Sequence, residues 1–194
     1  MSKESPVIGV LALQGAVREH AAALRAAGAE TEAIKWPDQL AGIAGLIIPG
    51  GESTTIGKLM VKYGFIQAIR DLAASGRPVY GSCAGLIAVA KRITEGTDPW
   101  LSLMDIEATR NAFGRQQESF EAEIAIPVLG APFTGVFIRA PWIETAGSGV
   151  DILAEYDGRK IMARENNILV TAFHPELTTD TRVHEYFIDM VREA

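Results

Sequence analysis

Short, wholly apolar runs alternate with segments of helical period through the first half of the chain, and that alternation narrows the fold most. Residues 7–13 read VIGVLAL and are punctuated by Gln14-Gly15. Residues 16–27 follow with Val17, Ala21 and Leu24 on one side and Gly28 as a stop. Residues 31–35 form a second candidate strand, and residues 43–48 (IAGLII) a third, cut off by Pro49-Gly50-Gly51. Phe65, Ile66, Ile69, Leu72 and Ala73 share a helical face that ends at Gly76. Residues 78–81 then lead as a short strand into Ser82-Cys83-Ala84-Gly85, with residues 86–90 helical. Strands that are apolar on both sides need cover on both sides, so this order predicts a parallel sheet with helices on both faces.

The second half changes character. Residues 119–126, 135–138, 152–156, 160–164 and 168–173 all read as strands, and Asn166-Asn167 suits a tight hairpin because Asn tolerates positive φ. Val183, Tyr186, Phe187, Met190 and Val191 mark a final amphipathic helix that Thr179 or Asp180 is placed to cap. No linker, repeat or low-complexity tract interrupts the 194 residues. The expectation is one domain over residues 1–194: an α/β, three-layer, flavodoxin-like mixed sheet, mostly parallel, with an antiparallel extension. A formal charge of −6 argues against a nucleic-acid partner, and no apolar run approaches a membrane span of about 20 residues. Residues 1–6 lack the apolar stretch of a signal peptide, and one cysteine allows no intrachain disulfide. A cytoplasmic protein with no membrane contact is expected.

That cysteine carries the chemistry. Cys83 stands in Gly81-Ser82-Cys83-Ala84-Gly85, between a strand and a helix, as a nucleophile does in a G-x-nucleophile-x-G elbow. The bend is sharp enough that side chains two residues to either side would collide. The start of the following helix favours thiolate over thiol. Read alone, the pentapeptide also fits a cysteine that merely fills the core.

Of the three histidines, His20 and His184 lie in helices and read as partly exposed. His174 ends an apolar strand and opens His174-Pro175-Glu176, at the strand end where parallel sheets carry their reactive groups. Proline stiffens that step, so the carboxylate can fold back on one imidazole nitrogen while the other faces a sulfur. A Cys83–His174–Glu176 triad is favoured over the plainer reading, in which His174 ends a strand and Glu176 caps a helix.

Pro49-Gly50-Gly51-Glu52-Ser53-Thr54-Thr55 follows a buried strand, and consecutive glycines let backbone N–H groups turn into a cleft as an oxyanion hole requires. It is not a nucleotide loop. Gly51 and Gly57 are separated by five residues, Leu59 follows Lys58, and Glu52 repels phosphate.

With these pieces assembled, the sequence resembles the class I, triad-type glutamine amidotransferases, and within them the glutaminase subunits of pyridoxal 5′-phosphate synthase. The resemblance covers nearly the whole chain. It rests on GVLALQGAVREH (residues 9–20), PGGEST (49–54), GSCAGLI (81–87), RNAFGRQQESF (110–120), FIRAP (137–141) and TAFHPELT (171–178). Threonine is more usual than Ser82 in this elbow. The resemblance implies Cys83 as nucleophile, His174 and Glu176 as its triad partners, and Gly51, Glu52, Ser53, Arg110, Ile138 and Arg139 as glutamine contacts. Gly51 and Ala84 would supply the oxyanion hole. It implies L-glutamine as substrate, no cofactor, no metal, and a (β/α)8-barrel synthase subunit that consumes the ammonia to make pyridoxal 5′-phosphate. The polar stretch 14–20 is expected to dock on that partner, so that substituting Arg18 or His20 weakens the complex. The competing readings are a class I glutaminase serving a different acceptor and another thiol hydrolase on the same fold.

Overall fold

A computed structural model of the chain describes residues 6–110 and 119–194. Most of RNAFGRQQESF and the first five residues lie outside the described residues. The first half builds β1 (Val7–Leu11), α1 (Val17–Ala26), β2 (Glu30–Ile34), β3 (Gly45–Ile48), α2 (Ser53–Lys62), α3 (Phe65–Ala74), β4 (Val79–Ser82) and α4 (Ala84–Val89). Next come β5 (Ala90–Ile93), β6 (Met104–Thr109), β7 (Ser119–Ile124), β8 (Phe133–Ile138), β9 (Trp142–Ala146) and β10 (Asp151–Tyr156). The chain closes with β11 (Arg159–Glu165), β12 (Ile168–Thr171) and α5 (Arg182–Glu193).

Ten strands form one mixed sheet in the order β2-β1-β3-β4-β12-β11-β9-β6-β5, with β10 beside β11. Strands β2, β1, β3, β4 and β12 run parallel, and β11 turns back against β12 to begin the antiparallel part. The three-layer α/β sheet expected from the alternation is present. Helix α1 packs with α5, while α2 packs with α3 and α4. Strands β3, β4 and β12 are buried at every position, which is why they carry no alternation.

Four elements differ from the sequence expectation. Strands β5, β6 and β9 and helix α2 were not foreseen. Residues 90–93 continue directly from α4 as a strand, although Ala90 was expected to close the helix. The Asn166-Asn167 turn is observed: Asn166 has φ 53°, and Glu165 pairs with Ile168 across it. The final helix starts at Arg182, whose N–H donates to Asp180 Oδ1 at 3.1 Å.

Strands β7 and β8 form a separate antiparallel ribbon. Phe133 and Phe137 of β8 pack against Phe173, with ring centroids 5.7 and 5.8 Å apart. The His174 N–H donates to Val136 O at 2.8 Å. These contacts pin the end of β8, and hence Ile138 and Arg139, over the C-terminal ends of the parallel strands.

Candidate active site

Parallel register brings the distant groups together. Thr171, the last residue of β12, pairs with Ser82, the last of β4, and the Cys83 N–H donates to Thr171 O at 2.8 Å. Cys83 and His174 therefore leave the same sheet edge from adjacent strands. The loops after β1 and β3 emerge at that edge too, carrying Gln14 and residues 49–53.

Cys83 has φ 51° and ψ −102°, a conformation that non-glycine residues rarely adopt and that must be held by its surroundings. Those surroundings are the two flanking glycines. A Cβ at Gly81 would run into the Gly85 carbonyl, and one at Gly85 into the carbonyl of Ile48. The bend turns the thiol off the sheet. Although only 7 % of Cys83 is exposed, it lines the cleft and is not sealed in the core. Its Sγ lies 3.9 Å from Ile138 O.

His174 and Glu176 meet across Pro175. Nδ1 of the imidazole is 2.7 Å from Glu176 Oε1, which leaves Nε2 for the sulfur. Burial alone pulls the His174 pKa down, but hydrogen bonds to Cys83 and Glu176 outweigh it and push the value up to about 10. Burial likewise opposes ionisation of Glu176, yet His20 and His174 hold its carboxyl below the ordinary value. An imidazolium between a carboxylate and a thiol is the arrangement that generates a thiolate at neutral pH.

The cleft around them has a volume of about 390 Å³, within the range of small-molecule sites. Gly51, Glu52, Ser53, Arg110, Ile138 and Arg139 all line it with Cys83 and His174, so the structure gathers every expected glutamine contact. Ala84 follows the nucleophile as the first residue of α4. Glu52 and Arg139 face each other at 3.5 Å, with both side chains more than half exposed. Arg110 Nε is buried and has no hydrogen-bond partner among the described residues. An anionic group of a ligand would complete it. Arg139 has φ 43° at the end of β8, which turns its side chain back over the cleft.

Residues 10–193 match the SNO glutamine amidotransferase family. The chain belongs to that family. It is 55 % identical over 187 residues to a Geobacillus kaustophilus protein named pyridoxal 5′-phosphate synthase subunit PdxT, covering 96 % of this chain and 95 % of the relative. A Niallia circulans protein of the same name is 54 % identical over 187 residues, covering 96 % and 98 %. A solved structure described as a glutamine amidotransferase superposes with a TM-score of 0.91 at 43 % identity, covering 95 % of this chain and 98 % of the other. The Thermotoga maritima PurLQS structure, at 16 % identity and TM-score 0.66, shares the fold.

This amidotransferase holds three groups that sequence reasoning misjudged. Gln14 lines the cleft, and its Oε1 accepts the Glu52 N–H at 2.8 Å, tying the loop after β1 to the loop after β3. The polar break after VIGVLAL marked a turn but not this role. His20 and His184 are fully buried and not partly exposed. The expected docking role of His20 therefore fails, since a residue with no surface cannot contact a partner. Arg18, two positions earlier, is exposed. His20 Nδ1 lies 3.0 Å from His184 Nε2, and His20 Nε2 lies 2.9 Å from Ser82 Oγ and 3.4 Å from Glu176 Oε2. No signal in either helix alone reveals this meeting, because it joins α1, α5, the end of β4 and the loop after β12.

Proposed function

We propose that this chain hydrolyses L-glutamine to glutamate and ammonia and delivers the ammonia to a synthase subunit that makes pyridoxal 5′-phosphate. What carries the reading is the strained Cys83 facing the His174–Glu176 pair in a cleft lined by Glu52, Arg110 and Arg139. Glutamine is a zwitterion with a carboxamide at the far end. Arg110 and Arg139 suit its α-carboxylate, and Glu52 suits its α-ammonium.

The Cys83 thiolate attacks the carboxamide carbon, forming a C–S bond and placing the carbonyl electron pair on oxygen. Backbone N–H groups of Gly51 and Ala84 receive that oxyanion. His174, oriented by Glu176, gives its proton to the departing nitrogen. The C–N bond breaks, ammonia leaves, and a γ-glutamyl thioester remains. Water enters, His174 takes its proton, the hydroxide adds, and collapse releases glutamate and the thiolate. The net change is glutamine plus water to glutamate plus ammonia. No step calls on a metal or cofactor.

Ammonia released into water is protonated and loses its nucleophilicity, which is a physical reason for a tight partner. We take that partner to be a (β/α)8-barrel synthase subunit docked over the C-terminal sheet edge, with Arg18 at its contact. Residues 1–194 are read as one amidotransferase domain. A lone catalytic thiol suits the reducing cytoplasm.

The test is glutamate production with and without a candidate synthase, run beside Cys83→Ala. Glutamate formation in the presence of the synthase, abolished in Cys83→Ala, is expected. Turnover that persists in the variant removes the mechanism.

A further inference from the structure

Behind the triad lies a layer of buried polar groups that the mechanism above does not use. Glu176 spends Oε1 on His174, but its Oε2 is buried and has no hydrogen-bond partner among the described residues. His20 Nε2 of α1 lies 3.4 Å from it. That nitrogen also reaches Ser82 Oγ, the residue before the nucleophile, at 2.9 Å. On its other side His20 Nδ1 meets His184 Nε2 of α5 at 3.0 Å.

Proton bookkeeping selects one arrangement. Burial lowers the pKa of His20 and brings that of His184 down to about 3, so both rings are neutral and each has one N–H. If His20 carried its proton on Nδ1, a bare lone pair would face the Glu176 carboxylate. His184 would then be left with a buried N–H and no acceptor, because its Nδ1 has no partner among the described residues. With the protons on His184 Nε2 and His20 Nε2, His184 donates to His20, and His20 donates toward Ser82 and Glu176. The two N–H groups then run in one direction, from His184 to His20 and from His20 toward Ser82 and Glu176.

We propose that His20 is a positioning residue for the glutaminase reaction: its Nε2–H, held in that tautomer by His184, fixes the unshared oxygen of Glu176 and ties it to Ser82 beneath the nucleophile. The proposal rests on the reading of Cys83, His174 and Glu176 as the triad. It also explains the hydroxyl at position 82, since serine supplies a buried partner for the same N–H. As His174 passes between imidazolium and imidazole, Glu176 must stay ionised and stay put. His20 supplies a donor for the oxygen that His174 does not hold. The groups that face this carboxylate are His174 on its own loop, His20 of α1 and Tyr80 of β4, with His184 of α5 behind His20.

The discriminating pair is His20→Gln and His20→Asn. Glutamine places an amide N–H near the Nε2 position, whereas asparagine reaches only the Nδ1 position and keeps the contact to His184. In the complex with the synthase, His20→Asn is expected to lower kcat for glutamine hydrolysis about 10- to 100-fold with KM nearly unchanged, and His20→Gln to restore most of it. A second readout needs no turnover. Cys83 is the sole cysteine, so iodoacetamide labels it uniquely. The acid limb of its alkylation profile is expected to move to higher pH in His20→Asn and to return in His20→Gln. If the two folded variants match each other and the wild type in both kcat and alkylation profile, the inference is wrong. If both fall equally, His20 acts through packing alone and the inference is equally wrong. Should the wild-type complex release no glutamate, the functional reading fails, and the alkylation profiles still decide whether His20 sets the state of the Cys83–His174 pair.

Discussion

Gly50 is where one added methyl group tests the site most cleanly. A Cβ built there stands 2.5 Å from His174 Cε1, 3.0 Å from Nδ1 and 3.3 Å from Cys83 Cβ. Carbon atoms rest at about 3.5–4.0 Å, so either the imidazole or the loop must retreat by about 1 Å. The imidazole is held by Glu176 Oε1 at 2.7 Å and has little room to yield. The loop is held in turn, because Gly50 O accepts the Ala16 N–H at 3.0 Å and Gln14 Oε1 accepts the Glu52 N–H at 2.8 Å. Whichever side gives way, the distance between the proposed oxyanion donor and the nucleophile changes by a good fraction of 1 Å, which costs on the order of 10²-fold in rate. The stability cost of such crowding is about 1–3 kcal/mol. The assay is kcat for glutamine hydrolysis by the synthase complex, with a thermal melt for each variant. Gly42→Ala is the control: nothing lies within 4 Å of its added Cβ and its φ is not positive. It is expected to keep wild-type kcat and to gain about 0.4–1 kcal/mol. A folded Gly50→Ala protein with wild-type kcat would refute the reasoning, since it would mean that the loop and His174 need not be this close.

Three further outcomes follow from the same geometry. Arg139→Ala and Glu52→Ala should raise KM for glutamine about 10-fold or more while leaving the melting temperature unchanged, because the pair is exposed and adds little to stability. Steady-state kinetics and a melt on each variant check this. His174 titrates above its unfolded value of about 6.5, so the stability it contributes is complete below that pH and is lost as pH rises toward about 10. Cys83→Ala removes both influences of the thiol on His174, so the contribution should shrink and its loss should be complete at lower pH, as read by denaturant unfolding across pH 6 to 10. Gly57→Ala, on α2, drives a methyl group into the Trp100 indole. It should destabilise the protein by about 1–3 kcal/mol in a melt and leave kcat per folded molecule unaltered.

What the sequence made legible was local or chemically singular. The elbow can be read from five residues because each flanking glycine answers a clash visible in the structure. His174 and Glu176 can be read because they are two residues apart at a strand end. Strands β5 and β6 were opaque for a physical reason: they carry charge on their solvated side, and Arg92 pairs with Asp105 across them at 2.9 Å. Charge at two positions of so short a segment, Lys91 and Arg92 in β5 and Asp105 and Glu107 in β6, hides a strand. Helix α2 mixes Thr54, Thr55, Ile56 and Gly57 in its first turns, which are weak helix formers held by packing on α3 and α4. His20 and His184 were misjudged because each sits on an otherwise ordinary amphipathic helix. Only the packing of α1 on α5 turns both rings inward.

That inward turn bears on why the site sits where it does. A buried carboxylate oxygen held only by a long contact of 3.4 Å and a bare imidazole nitrogen each cost about 1–3 kcal/mol, and both belong to the layer that His20 joins to Ser82, the residue before Cys83. Elsewhere the same sheet is packed with Ile, Leu, Val and Phe, so the fold has no general need of polar groups in its interior. Two of the four buried polar atoms without a partner among the described residues, Glu176 Oε2 and His184 Nδ1, belong to this layer, beside the junction where β12 runs parallel to β4 on one side and antiparallel to β11 on the other. The loop leaving β12 must there place His174 over the nucleophile while being crossed by the ribbon through the Val136 carbonyl. Apolar filling at that junction would stabilise the core but leave Glu176 free to rotate away from His174. A rigid polar layer spends some stability to hold a single carboxylate orientation, which an acid–base group needs if it is to return to the same geometry after every proton transfer.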